Sequence, residues 1–218
     1  MKTIQAHTVE GRMVASAQAM IRSLVLISTC ILVMPSLAEA KEPLQAVKGM
    51  VEAIRELEVP PEGGALTPAQ AASNRARVER AHALLDLEGL AASSLGGAWA
   101  NLGAGQRSDF VDLLKDLLAK VAYPQSSRFF TDLELEMSDG GERGGRQRVI
   151  VEVRHPDEGL IELDFFLVER GSTWVVVDIH LDGASLAANI RSQIRKTFES
   201  EGYDGLTKKM KARISEAE

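Results

Sequence analysis

The spacing of apolar residues divides the chain into a helical first part and a stranded second part. Between residues 44 and 58 apolar side chains recur every three or four positions, which predicts a helix that packs through one face. Thr67 followed by Pro68 predicts the start of a second helix, and Asp86 is placed to cap a short third one. From Gln106 to Tyr123 the apolar positions form a stripe wide enough to contact two surfaces. These helices precede any predicted strand.

After Phe129 the period of the pattern changes from about 3.6 residues to two. Leu133, Leu135 and Met137 alternate with acidic residues, and three further alternating segments follow before residue 183. The short connections between them, such as residues 155–159, are rich in glycine and turn-forming residues. Four successive strands with short turns predict an antiparallel meander, a type of sheet that usually buries one face.

A helical pattern returns after the sheet. Residues 185–200 carry an apolar side chain at every fourth position, and Gly202 is predicted to end that helix before a last one. We therefore predict an α+β fold in which helical parts, about residues 41–128 and 185–218, cover one face of a sheet at about residues 130–182.

The first forty residues have the pattern of a cleaved secretory signal peptide. An eleven-residue apolar run, Leu24–Met34, follows three basic residues and precedes the small-residue site at 38–40. Such a run rises only about 16 Å as a helix, too short for a hydrocarbon core of about 30 Å. We predict export of a mature domain, residues 41–218. Because Cys30 lies in the signal, the mature domain has no thiol for catalysis or metal binding.

Charge argues against polyanionic partners. The chain has 25 lysines and arginines against 31 acidic residues, a formal net charge of -6. A field that would attract nucleic acid or anionic lipid surfaces is therefore absent. We predict no nucleic-acid partner.

Candidate catalytic groups are few. His180 lies between Asp178 and Asp182, which is compatible with a base or a metal ligand, but a fourth ligand is missing. Ser185 is better interpreted as a helix cap than as a nucleophile, since no G-x-S-x-G motif surrounds it. Asp164 and Asp178 could face each other across neighbouring strands. We predict no catalytic residue and no metal, which favours a binding protein.

Several segments resemble one family in order and spacing. They are Leu95–Tyr123 with its L-G-x-x-W and Q-R-x-x-F elements, residues 174–179 (WVVVDI), 183–186 (GASL), 189–193 (NIRSQ) and 202–206 (GYDGL). Together they resemble the toluene-tolerance, or Mla-type, family of periplasmic phospholipid-binding proteins, from about residue 44 to 214. The resemblance implies an NTF2-like curved sheet, with acyl chains held inside and the headgroup outside.

The resemblance also implies a function. It indicates a periplasmic, monomeric auxiliary component of an ABC lipid transporter, without a cofactor, whose cargo is phospholipid. The implied partners are an inner-membrane MCE-domain/ABC transporter complex and an outer-membrane lipoprotein–porin complex, and the implied role is to maintain outer-membrane lipid asymmetry. Two alternatives stay open: an NTF2-like enzyme acting on a small apolar substrate, with Asp164, Asp178 or His180 as base, and a cargo-free structural adaptor.

A lipid carrier of this kind needs a dry apolar pocket. We expect the wide helix, the inner face of the sheet and the helix after it to line that pocket. The candidate residues are Leu114, Leu117, Leu118, Val121, Tyr123, Val151, Val153, Leu163, Phe165, Val176, Ile190 and Ile194. The same residues could instead fill a solid core.

Overall fold

The structure is a computed structural model that describes residues 42–60 and 64–217. The predicted signal peptide, residues 1–40, lies outside the described residues, so its cleavage stays a prediction. No helix within the described ranges is long and apolar enough to cross a membrane.

Helices form the first half of the described chain. They are α1 (Glu42–Arg55), α2 (Pro68–Ala83), α3 (Leu87–Leu95), α4 (Gly97–Asn101), α5 (Ala104–Leu117), a π-helical turn (Leu118–Ala122) and α6 (Tyr123–Phe130). The Thr67 hydroxyl accepts the N–H of Gln70, and the Gln70 side chain accepts the N–H of Thr67, so the predicted cap of α2 is confirmed. Asp86 caps α3 in the same way by accepting the N–H of Gly89.

The wide apolar stripe belongs to more than one helical segment. The sequence predicts one helix ending near Tyr123, whereas α5 stops at Leu117 and helical structure continues through the π-helical turn into α6. Pro124 stands in the first turn of α6 and has no N–H to donate. A π-helical turn just before this proline lets the chain change its hydrogen-bond pattern without leaving the helix.

The second half begins with an antiparallel sheet in the order β1-β2-β3-β4-β5. Its strands are β1 (Glu134–Glu142), β2 (Gln147–His155), β3 (Gly159–Arg170), β4 (Thr173–Leu181) and β5 (Ala184–Ser185). The first four form the predicted meander, and β5 is a two-residue addition that pairs with His180 and Leu181. Asp182 and Gly183, both with positive φ, form the tight turn before it.

Helix α7 (Leu186–Ser215) follows β5 and is kinked at Gly202. Gly202 has a φ of 68°, a conformation that costs glycine little. As predicted, helical geometry is interrupted at Gly202, and a last helical segment follows it.

Two apolar cores stabilise the described chain. In the first, α1 packs on the inner face of the sheet, where Val47, Val149, Val151, Val153 and Leu167 are almost completely buried. In the second, α3, α5 and α7 pack together around Phe110. This layered arrangement confirms the predicted α+β, NTF2-like fold of a curved sheet covered by N-terminal and C-terminal helices.

Candidate functional site

Two adjoining cavities lie between the sheet, α1, α6 and the beginning of α7. The first has a volume of about 400 Å³ and the second about 420 Å³. Both are within the range of about 300 to 1,000 Å³ that is usual for ligand pockets. They share five wall residues: Met50, Ile54, Ser126, Ile179 and Leu186. The two cavities therefore adjoin along a common wall.

The walls of both cavities are mainly aliphatic. The first cavity has four polar residues on its wall, Gln125, Ser126, Glu158 and Asp182. Among the described residues that line either cavity there is no lysine or arginine. Such walls suit hydrocarbon and do not suit a small anionic substrate.

Exposed apolar side chains mark the opening of the first cavity. Phe129, Leu181 and Leu186 line it and are 37%, 39% and 39% exposed. The ring of Phe129 also stacks on His155 at a centroid distance of 5.8 Å. Grouped apolar side chains left in water are typical of a binding opening.

Tyr123 contributes an aromatic ring to the second cavity. It is 3% exposed, and within the described part of the chain its hydroxyl has no hydrogen-bond partner. Its ring lies 5.5 Å from the ring of His82, whose Nε2 also lacks a partner there. Burial raises the pKa of Tyr123 and lowers the pKa of His82. Both groups are therefore uncharged at neutral pH and keep this side of the cavity free of charge.

The structure brings half of the predicted pocket residues to the cavities. Leu163 and Phe165 line the first cavity, and Leu118, Tyr123, Val176 and Ile190 line the second. The cavities are also lined by residues that the sequence does not assign to the site, namely Met50, Ile54, Ile179 and Leu186. Ile54 and Leu186 belong to predicted apolar helix faces, and apolar spacing is the signal that points to them.

The other predicted residues lie elsewhere. Val151 and Val153 are on the inner face of β2 but are fully buried in the first core, which α1 covers. Leu114, Leu117 and Ile194 belong to the second core. Val121 is half-buried on the π-helical turn and lines neither cavity. Helix α5 directs its stripe toward α3 and α7, which is why these residues are separated from the cavities.

Asp178 borders the second cavity, but its carboxylate holds the fold together. One oxygen accepts the Ser185 hydroxyl at 2.7 Å and lies 3.1 Å from His180 Nε2, and the other accepts the N–H groups of Ile179 and Ala187. Burial alone would raise the pKa of Asp178, but these hydrogen bonds outweigh it and lower the pKa. Ser185 in turn caps α7 by accepting the N–H of Ala188, as predicted.

These contacts do not form a catalytic triad. In a triad the imidazole lies between the hydroxyl and the carboxylate, whereas here Ser185 and His180 both contact Asp178. Asp164 is opposite His180 in the sheet and forms an ion pair with Arg148 at 2.6 Å. No group of three or more potential ligands in the described ranges could hold a metal ion.

We expect Asp178→Ala to lower the free energy of unfolding by about 2 to 4 kcal/mol, because buried N–H donors lose their acceptor. Urea unfolding of the variant beside wild type measures this loss.

The same carboxylate makes stability depend on pH. Since the pKa of Asp178 is lowered in the folded state, the ionised side chain stabilises the fold above the ordinary pKa of 3.8, and this stabilisation is lost as pH falls below that value. Asp178→Asn should therefore reduce the acid dependence of stability relative to wild type. An Asp178→Asn variant whose stability falls with acid as steeply as that of wild type would disprove this structural role.

Comparison with known proteins agrees with the family resemblance. Residues 64–212 match the family model described as MlaC protein, so the chain belongs to the MlaC protein family. Seven chains of solved structures are similar in fold. One is described as the phospholipid-binding protein from Ralstonia solanacearum in complex with a phospholipid. It has a TM-score of 0.60 at 17% sequence identity, and the match covers 82% of this chain and 98% of that one. No curated protein matches significantly.

Proposed function

We propose that this protein binds a phospholipid and carries it through the periplasm with its acyl chains in the two adjoining cavities. The observation that carries the proposal is a pair of cavities of about 400 and 420 Å³ with mainly aliphatic walls. Membership of the MlaC family and the fold shared with a protein described as phospholipid-bound both support it. The cavities also favour a carrier over a cargo-free adaptor, which would need only a filled core.

The energetics require an enclosed site. Two acyl chains contain about thirty methylene groups, and exposing them to water costs on the order of 24 kcal/mol at ~0.8 kcal/mol each. A carrier lowers this cost by offering a wall about as apolar as the bilayer interior. It needs no catalytic group for that task, and Asp178, the best candidate base, is occupied by structural hydrogen bonds.

Delivery would take place between protein complexes. We propose that the protein, as a monomer, exchanges lipid between an inner-membrane MCE-domain/ABC transporter and an outer-membrane lipoprotein–porin complex, and so maintains outer-membrane asymmetry. Its net charge of -6 and the acidic residues Glu158 and Asp182 beside the first cavity disfavour adhesion to anionic membranes. Phe129, Leu181 and Leu186 would provide the apolar surface over which a tail enters.

Native mass spectrometry of the purified protein tests this function. We expect a species heavier than the protein alone by the mass of one or more diacyl phospholipids, and solvent extraction should release the same lipids. Protein purified without detergent that is consistently empty, and that takes up no phospholipid from vesicles, would overturn the proposal.

A further inference from the structure

A third pocket, of about 300 Å³, lies next to the second apolar cavity and differs from it in charge. Three arginines line it, each from a different part of the fold: Arg146 before β2, Arg170 at the end of β3 and Arg191 on α7. Helix α3 forms the remaining side, with its capping residue Asp86 and with Ser93. We call this the arginine pocket. Because its cations come from three elements, it is not one solvated helix face.

The positive charge of the arginine pocket is only partly compensated. Asp86, the acidic residue among those that line it, accepts a hydrogen bond from Arg170 at 3.0 Å and caps α3 with its other oxygen. Across residues 42–60 and 64–217, the side chains of Arg146 and Arg191 have no ion pair or hydrogen bond. Two guanidinium groups are therefore available to a ligand, on a chain whose net charge is negative.

The arginine pocket adjoins the second apolar cavity. Asp86, Leu90 and Val177 line both, so the two spaces have these residues as a common wall. Among the described residues neither apolar cavity has a lysine or arginine on its wall, and each has two carboxylates, Glu158 and Asp182 in the first and Asp86 and Asp178 in the second. An amphiphile with a hydrocarbon tail in the second cavity would thus find its best anion site at the arginines.

We propose that the arginine pocket binds the phosphate group of the carried lipid. Arg146 and Arg191 donate to the phosphate oxygens, and Arg170 stays positioned by Asp86. Guanidinium groups bind phosphate through paired, charge-assisted hydrogen bonds, which makes arginine well suited to this role. This inference rests on the proposed function and extends it, because it makes the protein select lipids that contain a phosphate over neutral lipids with the same tails.

A comparison of two lipids with identical acyl chains tests the inference. Lipid-free protein is incubated with vesicles containing phosphatidylglycerol or the corresponding diacylglycerol, and bound lipid is quantified by mass spectrometry. We expect the double variant Arg146→Gln/Arg191→Gln to retain phosphatidylglycerol about tenfold less well than wild type. Diacylglycerol, which lacks the phosphate, should show no such difference. The matched control is Arg143→Gln/Arg195→Gln, which alters the same loop and helix outside the pocket and should behave as wild type.

The outcomes distinguish failure of the proposed phosphate site from failure of the proposed lipid-carrier function. Equal retention of phosphatidylglycerol by wild type and the double variant overturns the headgroup site and leaves the carrier intact. Failure of wild type to retain either lipid overturns both. A titration with inorganic phosphate, followed by phosphorus NMR, tests whether the arginines bind free phosphate instead of the phosphate of a lipid headgroup. Free phosphate that binds the arginines as tightly as the lipid does would overturn their assignment to the cargo.

Discussion

Ser126→Trp is expected to lower phospholipid retention by about tenfold or more while leaving the protein folded. Ser126 is half-buried on α6 and is one of the five residues that line both cavities. An indole at this position would project into space that an acyl chain needs. Because that space is a cavity and not a filled core, the larger side chain should cause less strain than overpacking usually does.

The matched control for this variant is Ser192→Trp. Ser192 is exposed on α7 and lines neither cavity, so the same substitution there should leave lipid retention unchanged. Native mass spectrometry gives the lipid-bound fraction of each variant, and thermal unfolding shows whether each is folded. Full retention by a folded Ser126→Trp protein would mean that the tails lie elsewhere.

Phe110→Ala should lower the free energy of unfolding by about 3 to 5 kcal/mol, a typical cost for truncating a fully buried phenylalanine. Phe110 is 0% exposed and packs between Trp99 and Tyr203, with ring centroids at 6.4 and 6.5 Å. The total stability of a domain is only about 5 to 15 kcal/mol. This single change should therefore remove a large share of it.

The second core is separate from the cavities, and this gives the prediction its control. Phe110 lines neither cavity, so the folded fraction of Phe110→Ala should retain as much lipid per molecule as wild type. Phe129→Ala, at an exposed position on the opening, should cost less than about 1 kcal/mol. Urea unfolding measures both. Equal losses from the two substitutions would contradict the placement of Phe110 at the centre of the second core.

Local signals in the sequence are sufficient to predict most of the elements. The sequence predicts Thr67, Asp86 and Ser185 as helix caps because their side chains accept backbone N–H groups, and these are local interactions. The meander follows from a two-residue period interrupted by turns. The sequence does not predict the π-helical turn before Pro124, because this turn replaces one helical pattern with another that has nearly the same spacing.

The site is harder to predict, because a residue belongs to it only if its side chain faces a cavity and not a filled core. Leu114 and Leu118 are one helical turn apart on the same apolar stripe, yet Leu114 enters the second core and Leu118 lines a cavity. An aliphatic side chain has the same sequence signature in a solid core and in a cavity wall. The difference depends on how far α1 and α6 lie from the sheet, which is a tertiary property. The arginine pocket likewise exists only because folding brings three distant positions together.

Locating the acyl chains within the protein shows directly whether the two cavities hold them. A phospholipid with bromine atoms on its acyl chains would be bound to the protein, and the bromines would be located by anomalous diffraction from crystals of the complex. We expect bromine positions between α1 and the sheet, in contact with Ile54 and Ile179, which line both cavities. Bromines found only on the outer surface, with the cavities closed by side chains, would contradict this expectation.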